Sequence, residues 1–331
     1  MTFDIVKLPK AELHCHLEGA APPALVRKLA DRHGMTLPDH LFNADNQFQW
    51  DNFIEFLNAY DMASAVIKTA DDYADVTYEY LKSCALEGAI YVEVFSSPDH
   101  AAAAGMDYDT HLEGIVAGCI RAETNFGIIG RIIPTCVRHL GAARAKIVAD
   151  QVANTPHPFV VGFGMGGDET HLTHKDFAPA YKIVSDAGLS TTVHAGEIQG
   201  AASVWAAISD LPVTRIGHGV RAIEDNFLVD ELVKRNIHLE ICPGSNIALS
   251  IFPDNQSHPL LKFKQAGVSF SLNSDDPPYF ATSIGQEYNT AHSKFGLEAM
   301  ELLDVTKTAI KASFVDETTK QKLLDKVHAY E

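Results

Sequence analysis

The sequence predicts an α/β protein built as a (β/α)8 barrel of the TIM type. Eight short runs rich in β-branched and aromatic residues recur along the chain, and segments with helical periodicity separate them. Strands that alternate with helices form parallel sheets, and eight such units are sufficient to close a barrel. Barrels of this type average about 250 residues and tolerate insertions. A single domain over residues 1–331 therefore accommodates the whole chain.

The predicted elements follow one another in regular order. The strands are Ala11–His16, Ala89–Ser96, Gly130–Cys136, Phe159–Gly164, Ser190–His194, Thr214–His218, His238–Cys242 and Val268–Asn273. The helices between them include Tyr73–Glu87, Ala143–Asn154, Ala178–Ala187, Ala201–Ser209, Asp225–Arg235 and Pro259–Ala266. Gly188 and Gly267 each follow one of these helices, where a left-handed C-cap is expected. Closing helices are expected after Asn289, with Val305–Phe314 the most regular of them.

The connection between the first and second strands is much longer than the others. We expect a helical insertion over about residues 20–85, with helices at Pro22–His33 and Trp50–Ile67. Within it, Phe53 and Phe56 have the spacing of residues that pack one helix against another. Because the insertion leaves the C-terminal rim of the barrel, the alternative is that they form part of a lid over a binding site.

Composition excludes several classes of function. Hydrophobic residues make up 46% of the chain and charged residues 21%, which allows a large buried core. The net charge of −17 and the absence of any run of Lys or Arg disfavour nucleic-acid partners. No apolar stretch is long enough for a membrane span, and no secretory signal is visible. Five widely spaced cysteines without a C-x-x-C motif indicate reduced thiols, so a cytoplasmic location is expected.

Histidines and carboxylates stand at the ends of several predicted strands. His14 and His16 flank Cys15 and share one strand face, because side chains alternate along a strand. His194 ends a later strand, His218 ends the next, and Asp275 follows the last. Each has an ordinary structural explanation, as a chance pair among sixteen histidines, a core residue or a helix N-cap. Their recurrence at successive strand ends, where barrel active sites lie, instead favours a shared metal centre.

Ligand chemistry narrows the choice of metal. Imidazole nitrogens with one carboxylate oxygen suit Zn²⁺ or Fe²⁺ better than Mg²⁺ or Ca²⁺. A two-metal site on such a barrel usually needs a bridging lysine at the fourth strand, and that strand contains none. The sequence therefore predicts one ion per chain, most simply Zn²⁺ that activates water for hydrolysis.

A second class of function has one motif in its favour. Residues 162–167 formally match the G-x-G-x-x-G pattern of dinucleotide-binding turns. Such a site requires a helix that begins at the third glycine, whereas the residues after Gly167 are polar and lack helical periodicity. A nucleotide-cofactor oxidoreductase, or a metal-free purine-binding protein, is therefore the remote alternative. A turn that brings the backbone close to a planar ligand fits the glycines better.

The ordered motifs resemble those of the adenosine deaminase family of metal-dependent amidohydrolases. The similarity covers nearly the whole chain and lies in LPKAELHCHLEGA at the start, GGDE at 166–169, HAGE at 194–197, RIGHG at 215–219 and SLNSDDP at 271–277. The resemblance implies one Zn²⁺ held by His14, His16, His194 and Asp275, and a small purine as substrate. It also implies that Glu197 protonates purine N1 and that His218 orients or deprotonates the attacking water. Asp276 would hold N7, and the Gly167 backbone would meet N3.

The preferred purine depends on a few positions within the family. Glu18 stands where enzymes of the nucleoside branch usually have an aspartate that meets the ribose 5′-hydroxyl, and glutamate there resembles the adenine branch. Gly166-Gly167-Asp168-Glu169 and Gly217 instead resemble the adenosine branch. We expect adenosine or 2′-deoxyadenosine, with adenine or an N6-substituted purine as the alternative. His16, Glu18, Phe53 and Phe56 are the expected additional substrate contacts, and the oligomeric state stays undecided.

Overall fold

Between residues 4 and 330, eight parallel strands form one sheet in the order in which they occur along the chain. The computed structural model describes residues 4–330. The strands are β1 Lys10–Glu12, β2 Ala89–Ser96, β3 Ile129–Val137, β4 Gly162–Gly166, β5 Ser190–Ala195, β6 Arg215–His218, β7 His238–Ile241 and β8 Phe270–Leu272. Each strand pairs in parallel with the next, which confirms the predicted barrel.

Residues just beyond β1 and β8 complete the near-closed barrel. Cys15 forms an isolated parallel bridge with Asp275. The N–H of His16 donates to the carbonyl of Asp275 over 2.9 Å, and the N–H of Asp275 donates to the carbonyl of His14 over 3.2 Å. Backbone hydrogen bonds therefore set the relative positions of two histidines and an aspartate that are distant in sequence.

Helices surround the sheet and close its ends. In chain order they are α1 Pro23–Arg32, α2 Phe53–Ser64, α3 Ala70–Leu86, α4 Pro98–Ala103, α5 Tyr108–Phe126, α6 Ala142–Asn154, α7 His174–Asp186, α8 Ala201–Asp210, α9 Asn226–Arg235, α10 Pro243–Ala248, α11 Leu260–Ala266, α12 Pro277–Phe280, α13 Ile284–Ser293, α14 Ala299–Ala312 and α15 Glu317–His328. The expected C-cap at Gly267 is present, with a left-handed φ of +80°. Among residues 4–330, no helix is both long and apolar enough to cross a membrane.

Several predicted boundaries are wrong, and local contacts explain the differences. The first strand ends at Glu12 rather than His16, because the N–H of Leu13 donates to the side-chain oxygen of Asn273 and interrupts the backbone ladder. The fourth strand begins at Gly162 rather than Phe159. Its glycines lack a side-chain pattern, and pairing with β3 makes them a strand. Helix α7 begins earlier than predicted, because Thr173 caps a polar first turn.

The insertion after β1 contributes helices of two kinds. Helix α3 packs against β2 and α5, as a helix of the barrel wall does. Helix α2 instead lies against a short 3₁₀ turn at Glu18–Ala20, next to the C-terminal end of β1. Movement of α2 as a lid stays a prediction.

A buried ionic cluster lies inside the barrel. Arg215, at the start of β6, donates to Glu240 Oε1 over 2.6 Å and to Glu93 Oε2 over 2.5 Å. All three side chains are at most 1% exposed. Glu93 also accepts from the N–H of Phe314, and the Arg215 guanidinium lies 3.8 Å from the centre of the Phe314 ring. The cluster therefore ties strands β2, β6 and β7 to the segment after α14.

Replacing Arg215 with methionine is expected to lower the free energy of unfolding by about 3–5 kcal/mol, because two buried carboxylates lose their cation. Urea denaturation of the variant measures the change. Arg121→Met is the matched control, since Arg121 is half-exposed and its pair with Asp75 spans 3.5 Å. A change of about 1 kcal/mol or less is expected for the control. An equally small loss for Arg215→Met would contradict a stabilising role for the cluster.

Candidate active site

The predicted histidines and acids surround one cavity at the carboxyl ends of the strands. Its lining includes residues that follow β1, end β5 and β6, and follow β8, namely His16, His194, Glu197, His218, Asp275 and Asp276. His14 lies just beneath them, with its ring centre 4.5 Å from that of His194 and 4.8 Å from that of His218. The fold thus brings together side chains from four strand ends.

Second hydrogen bonds orient two of the imidazole rings. His14 Nδ1 donates to Glu240 Oε2 over 2.7 Å. His194 Nδ1 donates to the carbonyl of Met165 over 2.9 Å. Because the Nδ1 atoms carry the hydrogens, the Nε2 atoms of the neutral rings keep their lone pairs. Those lone pairs are available to a cation.

Ligand-type atoms converge at the floor of the cavity. His16 Nε2 lies 3.0 Å from His194 Nε2, and Asp275 Oδ1 lies 3.4 Å from His14 Nε2 and 3.5 Å from His16 Nε2. His14 Nε2 is buried and has no hydrogen-bond partner among the described residues. A divalent cation fits this donor set, because it would satisfy that orphan nitrogen and separate the crowded imidazoles. Two groups of ligand atoms each lie within 4.8 Å of one another, those of His14, His194, His218 and Asp275 and those of His16, Asp275 and Asp276, so a His/Asp metal site is present.

Charges around the floor also match a cation. Burial lowers the pKa of His14, but Asp275 and Glu240 outweigh burial and raise that pKa to about 9. Burial, with the neighbouring imidazoles of His14 and His16, keeps the pKa of His194 well below its usual range. The acids at the floor thus stabilise a positive charge at His14, and a bound cation would take the place of the proton that this ring otherwise holds.

Left-handed backbone angles and glycine residues make room for the imidazole rings of the site. His218 and Asp275 have left-handed φ angles of +59° and +64°, which are rare for residues with a side chain. A Cβ at Gly217 would lie 2.8 Å from the His14 ring, and one at Gly166 would lie 3.2 Å from the His194 ring. Larger residues at these positions would displace the imidazoles.

Glu169 holds the turn that carries Glu197. Its carboxylate accepts the N–H groups of Gly196, Ile198 and Gln199 over 2.5, 2.8 and 2.9 Å. These N–H groups come directly after β5 and point towards one place, where an anion is favoured. The sequence motif at 166–169 includes Glu169, but no role was predicted for it. Its function becomes apparent only when the turn after β4 meets the turn after β5.

Two acids that line the cavity, Glu197 and Asp276, have raised pKa values. Burial, together with the charge of Asp275, raises the pKa of Glu197 and of Asp276 well above their usual ranges. Glu197 Oε2 lies 3.7 Å from His218 Nε2. Asp276 Oδ1 is buried with no hydrogen-bond partner among the described residues, and any side chain at Gly19 would collide with it. These surroundings therefore favour the protonated form of both carboxyls, which can donate a hydrogen bond into the cavity.

The cavity walls include the other predicted contact residues. Phe53 and Phe56 both line it from helix α2, and Phe56 also packs against Phe280 with ring centres 5.1 Å apart. The aromatic residues thus serve helix packing and cavity lining together. Gly167 also lines the cavity, with a φ of +99°. Glu18 lies at the base of α2, almost completely buried.

Comparison with known proteins agrees with this arrangement. A family model described as adenosine deaminase matches residues 9–330. The chain belongs to the adenosine deaminase family. It is therefore an aminohydrolase, and its reaction is deamination of a 6-aminopurine.

Individual members of the family resemble the chain over nearly its whole length. An adenine deaminase of Rhizobium meliloti is 44% identical over 97% of this chain and 98% of the relative. The crystal structure of an adenine deaminase from Arthrobacter aurescens superposes with a TM-score of 0.90, at 29% identity over 98% of this chain and 99% of the other. An amidohydrolase from Burkholderia ambifaria, solved with bound Zn, has a TM-score of 0.87 at 26% identity, covering 98% and 94% of the two chains.

The dinucleotide alternative does not fit the fold. Gly162 and Gly164 lie inside β4, and the next helix begins at His174 rather than at Gly167. A Cβ at Gly162 would lie 2.5 Å from the Phe314 ring, so this glycine serves packing. The G-x-G-x-x-G pattern is therefore a coincidence of a glycine-rich strand and its turn.

Proposed function

We propose that the chain is an adenine deaminase that converts adenine and water to hypoxanthine and ammonia. The main support is its similarity, over nearly the full length, to adenine deaminases from bacteria. This reverses the preference for adenosine expected from Gly217 and the 166–169 motif, and it favours the alternative indicated by Glu18.

The surroundings of Glu18 support a free base as substrate. Its Oε1 atom accepts from Ser96 Oγ over 2.7 Å, from the N–H of Ser97 over 3.0 Å and from Tyr73 Oη over 3.2 Å. Its Oε2 atom accepts from Tyr60 Oη over 3.3 Å. The side chain is 1% exposed. A ribose hydroxyl could bind this carboxylate only by displacing these donors. We therefore assign Glu18 to the wall of the cavity, where its side chain fills space that a sugar would need.

A Zn²⁺ ion held by His14, His16, His194 and Asp275 would make water nucleophilic near neutral pH, since bound zinc lowers the pKa of water to about 7. The Burkholderia relative with bound Zn supports the choice of metal. The protein's own residues then have to bind the purine ring and control the protons.

Purine binding is assigned to the two sides of the cavity. Asp276, as a protonated carboxyl with an unpaired oxygen, donates to N7. The backbone at Gly167 approaches the N3 edge, where its lack of a side chain leaves room for a flat ring. Phe53 and Phe56 cover the ring from helix α2.

Proton transfer is assigned to Glu197 and His218. Attack of water at C6 interrupts the ring conjugation, and the buried carboxyl of Glu197 donates its proton to N1 as the C6–O bond forms. The C6–N bond then breaks, and the amino group leaves as ammonia with one proton of the water, while the other proton of the water restores the carboxyl of Glu197. His218, 3.7 Å from Glu197 and 3.9 Å from Asp275, holds the water in line with C6.

Release of ammonia from adenine, adenosine and 2′-deoxyadenosine, and of methylamine from N6-methyladenine, measured in parallel, tests the proposal. We expect kcat/KM for adenine to exceed that for adenosine by about 100-fold, because the sugar collides with the wall at Glu18. Glu18→Asp is expected to reduce this preference by shortening the wall. Glu123→Asp, an exposed substitution on α5, is the control and should leave it unchanged. A preference for adenosine in the unaltered enzyme would reject the proposal while leaving the deaminase assignment intact.

A further inference from the structure

A chain of three side chains connects a backbone N–H to the rim of the active site. The N–H of Leu260 lies 3.2 Å from His258 Nδ1. Because a backbone N–H can only donate, this ring nitrogen must be an unprotonated acceptor. The ring is buried, and burial lowers its pKa to about 4, which agrees with a neutral imidazole. A neutral ring with an acceptor Nδ1 carries its hydrogen on Nε2.

The next link orients an amide. His258 Nε2 donates to Asn246 Oδ1 over 3.1 Å. Asn246 is fully buried on α10, and its Nδ2 group lies 3.4 Å from His218 Nδ1. Since the oxygen of the amide faces His258, the group that faces His218 is the NH₂ donor. The direction of this amide thus follows from the Leu260 N–H and not from an arbitrary choice between two similar atoms.

The last link determines the tautomer of His218. A ring whose Nδ1 accepts from Asn246 carries its hydrogen on Nε2 when neutral. That Nε2 atom points into the cavity, 3.7 Å from Glu197 Oε2 and 3.9 Å from Asp275 Oδ2. We propose that Asn246 and His258 are positioning residues that hold His218 as an Nε2–H donor towards the cavity.

This assignment chooses between the two roles expected for His218. A neutral ring with hydrogen on Nε2 has no lone pair on the cavity side, so it cannot take a proton from the attacking water there. It can donate a hydrogen bond and so orient the water and the carboxylate of Asp275. The inference rests on the proposed function only in placing the reaction in this cavity, since the tautomer itself follows from hydrogen bonds.

Long-range ¹⁵N–¹H correlation spectra of zinc-loaded, ¹⁵N-histidine-labelled protein report the tautomer directly. The His218 signals can be assigned by their loss in His218→Asn. We expect a pyridine-like Nδ1 and a pyrrole-like Nε2 for His218. In Asn246→Asp, the new carboxylate accepts rather than donates, so Nδ1 should become pyrrole-like. We expect kcat to fall about 10–100-fold with KM and zinc content little changed, as is usual when a residue that supports an active-site ligand is lost.

A second variant and a control keep the test decisive. In His258→Phe the new ring packs beside Phe252 and Phe295, whose ring centres lie 5.2 and 5.6 Å from that of His258. This variant should leave His218 as a mixture of tautomers. His157→Phe is the control, because His157 Nδ1 accepts the N–H of Phe159 over 3.2 Å in the same local motif, outside the residues that line the cavity.

The outcomes separate the two proposals. A pyrrole-like Nδ1 on His218 in the unaltered protein, or an unchanged tautomer in both variants, would overturn the positioning role. The expected tautomer in a protein that does not release ammonia from adenine would support the positioning role and reject the proposed function.

Discussion

Glu197→Gln is expected to lower the turnover of adenine by about 10²–10⁴-fold while zinc content stays near one per chain. Glutamine has nearly the same shape as the protonated glutamate, so the turn held by Glu169 should be preserved. Its amide, however, cannot deliver a proton to N1 as the ring conjugation is interrupted. The loss should therefore appear in kcat more than in KM, as it does when an interaction made mainly in the transition state is removed.

Steady-state kinetics and metal analysis of the same samples check this result. Glu224→Gln is the control. Glu224 is exposed, pairs with Arg221 at the surface and does not line the cavity. Near-normal turnover in Glu197→Gln would refute the proton-donor role. Loss of zinc in that variant would show instead that Glu197 supports the metal site.

His194→Ala is expected to remove both zinc and activity. The substitution deletes an Nε2 atom that lies 3.0 Å from that of His16, and it frees the carbonyl of Met165. The variant would retain three protein ligands and an empty space at the position of the fourth. We expect its zinc site to lose most of its metal on dialysis. We expect turnover to fall at least about 10³-fold, since removing the ion removes water activation altogether.

A buried histidine outside the site provides the matched control. His238 is as deeply buried as His194, but its ring lies between the hydroxyls of Ser269 and Ser271 at 2.9 and 3.0 Å. His238→Ala should cost stability and leave zinc bound. Full zinc occupancy in His194→Ala would remove this residue from the set of ligands.

Local patterns were sufficient to predict the order of the barrel elements. Buried parallel strands appear in the sequence as short apolar runs, and the helices between them show a 3.6-residue period. Both signals are therefore local. The predicted boundaries are wrong where pairing with a neighbouring strand, or a capping side chain, determines where an element begins or ends. The shortened β1, which depends on Asn273, and the glycine strand β4, which depends on β3, are the clearest cases.

The residues that support the site were harder to predict than those that line it. Glu240 and Arg215 carry charges within apolar strand sequences, and that anomaly is a usable signal for a buried polar network. Asn246 and His258 offer no comparable signal, because both lie in a segment that reads as an ordinary polar loop. Their connection to His218 exists only because the fold brings α10 and the turn before α11 together beside the residue that ends β6.

The chain's order of strands, its reaction class and the residues at its strand ends follow from the sequence, because periodicity and short motifs depend on neighbours along the chain. Tertiary structure alone decided which atoms converge, how Glu18 is enclosed and which nitrogen of His218 faces the cavity. Those properties depend on hydrogen bonds between residues far apart in sequence. Only the closure of the barrel brings such partners within reach of each other.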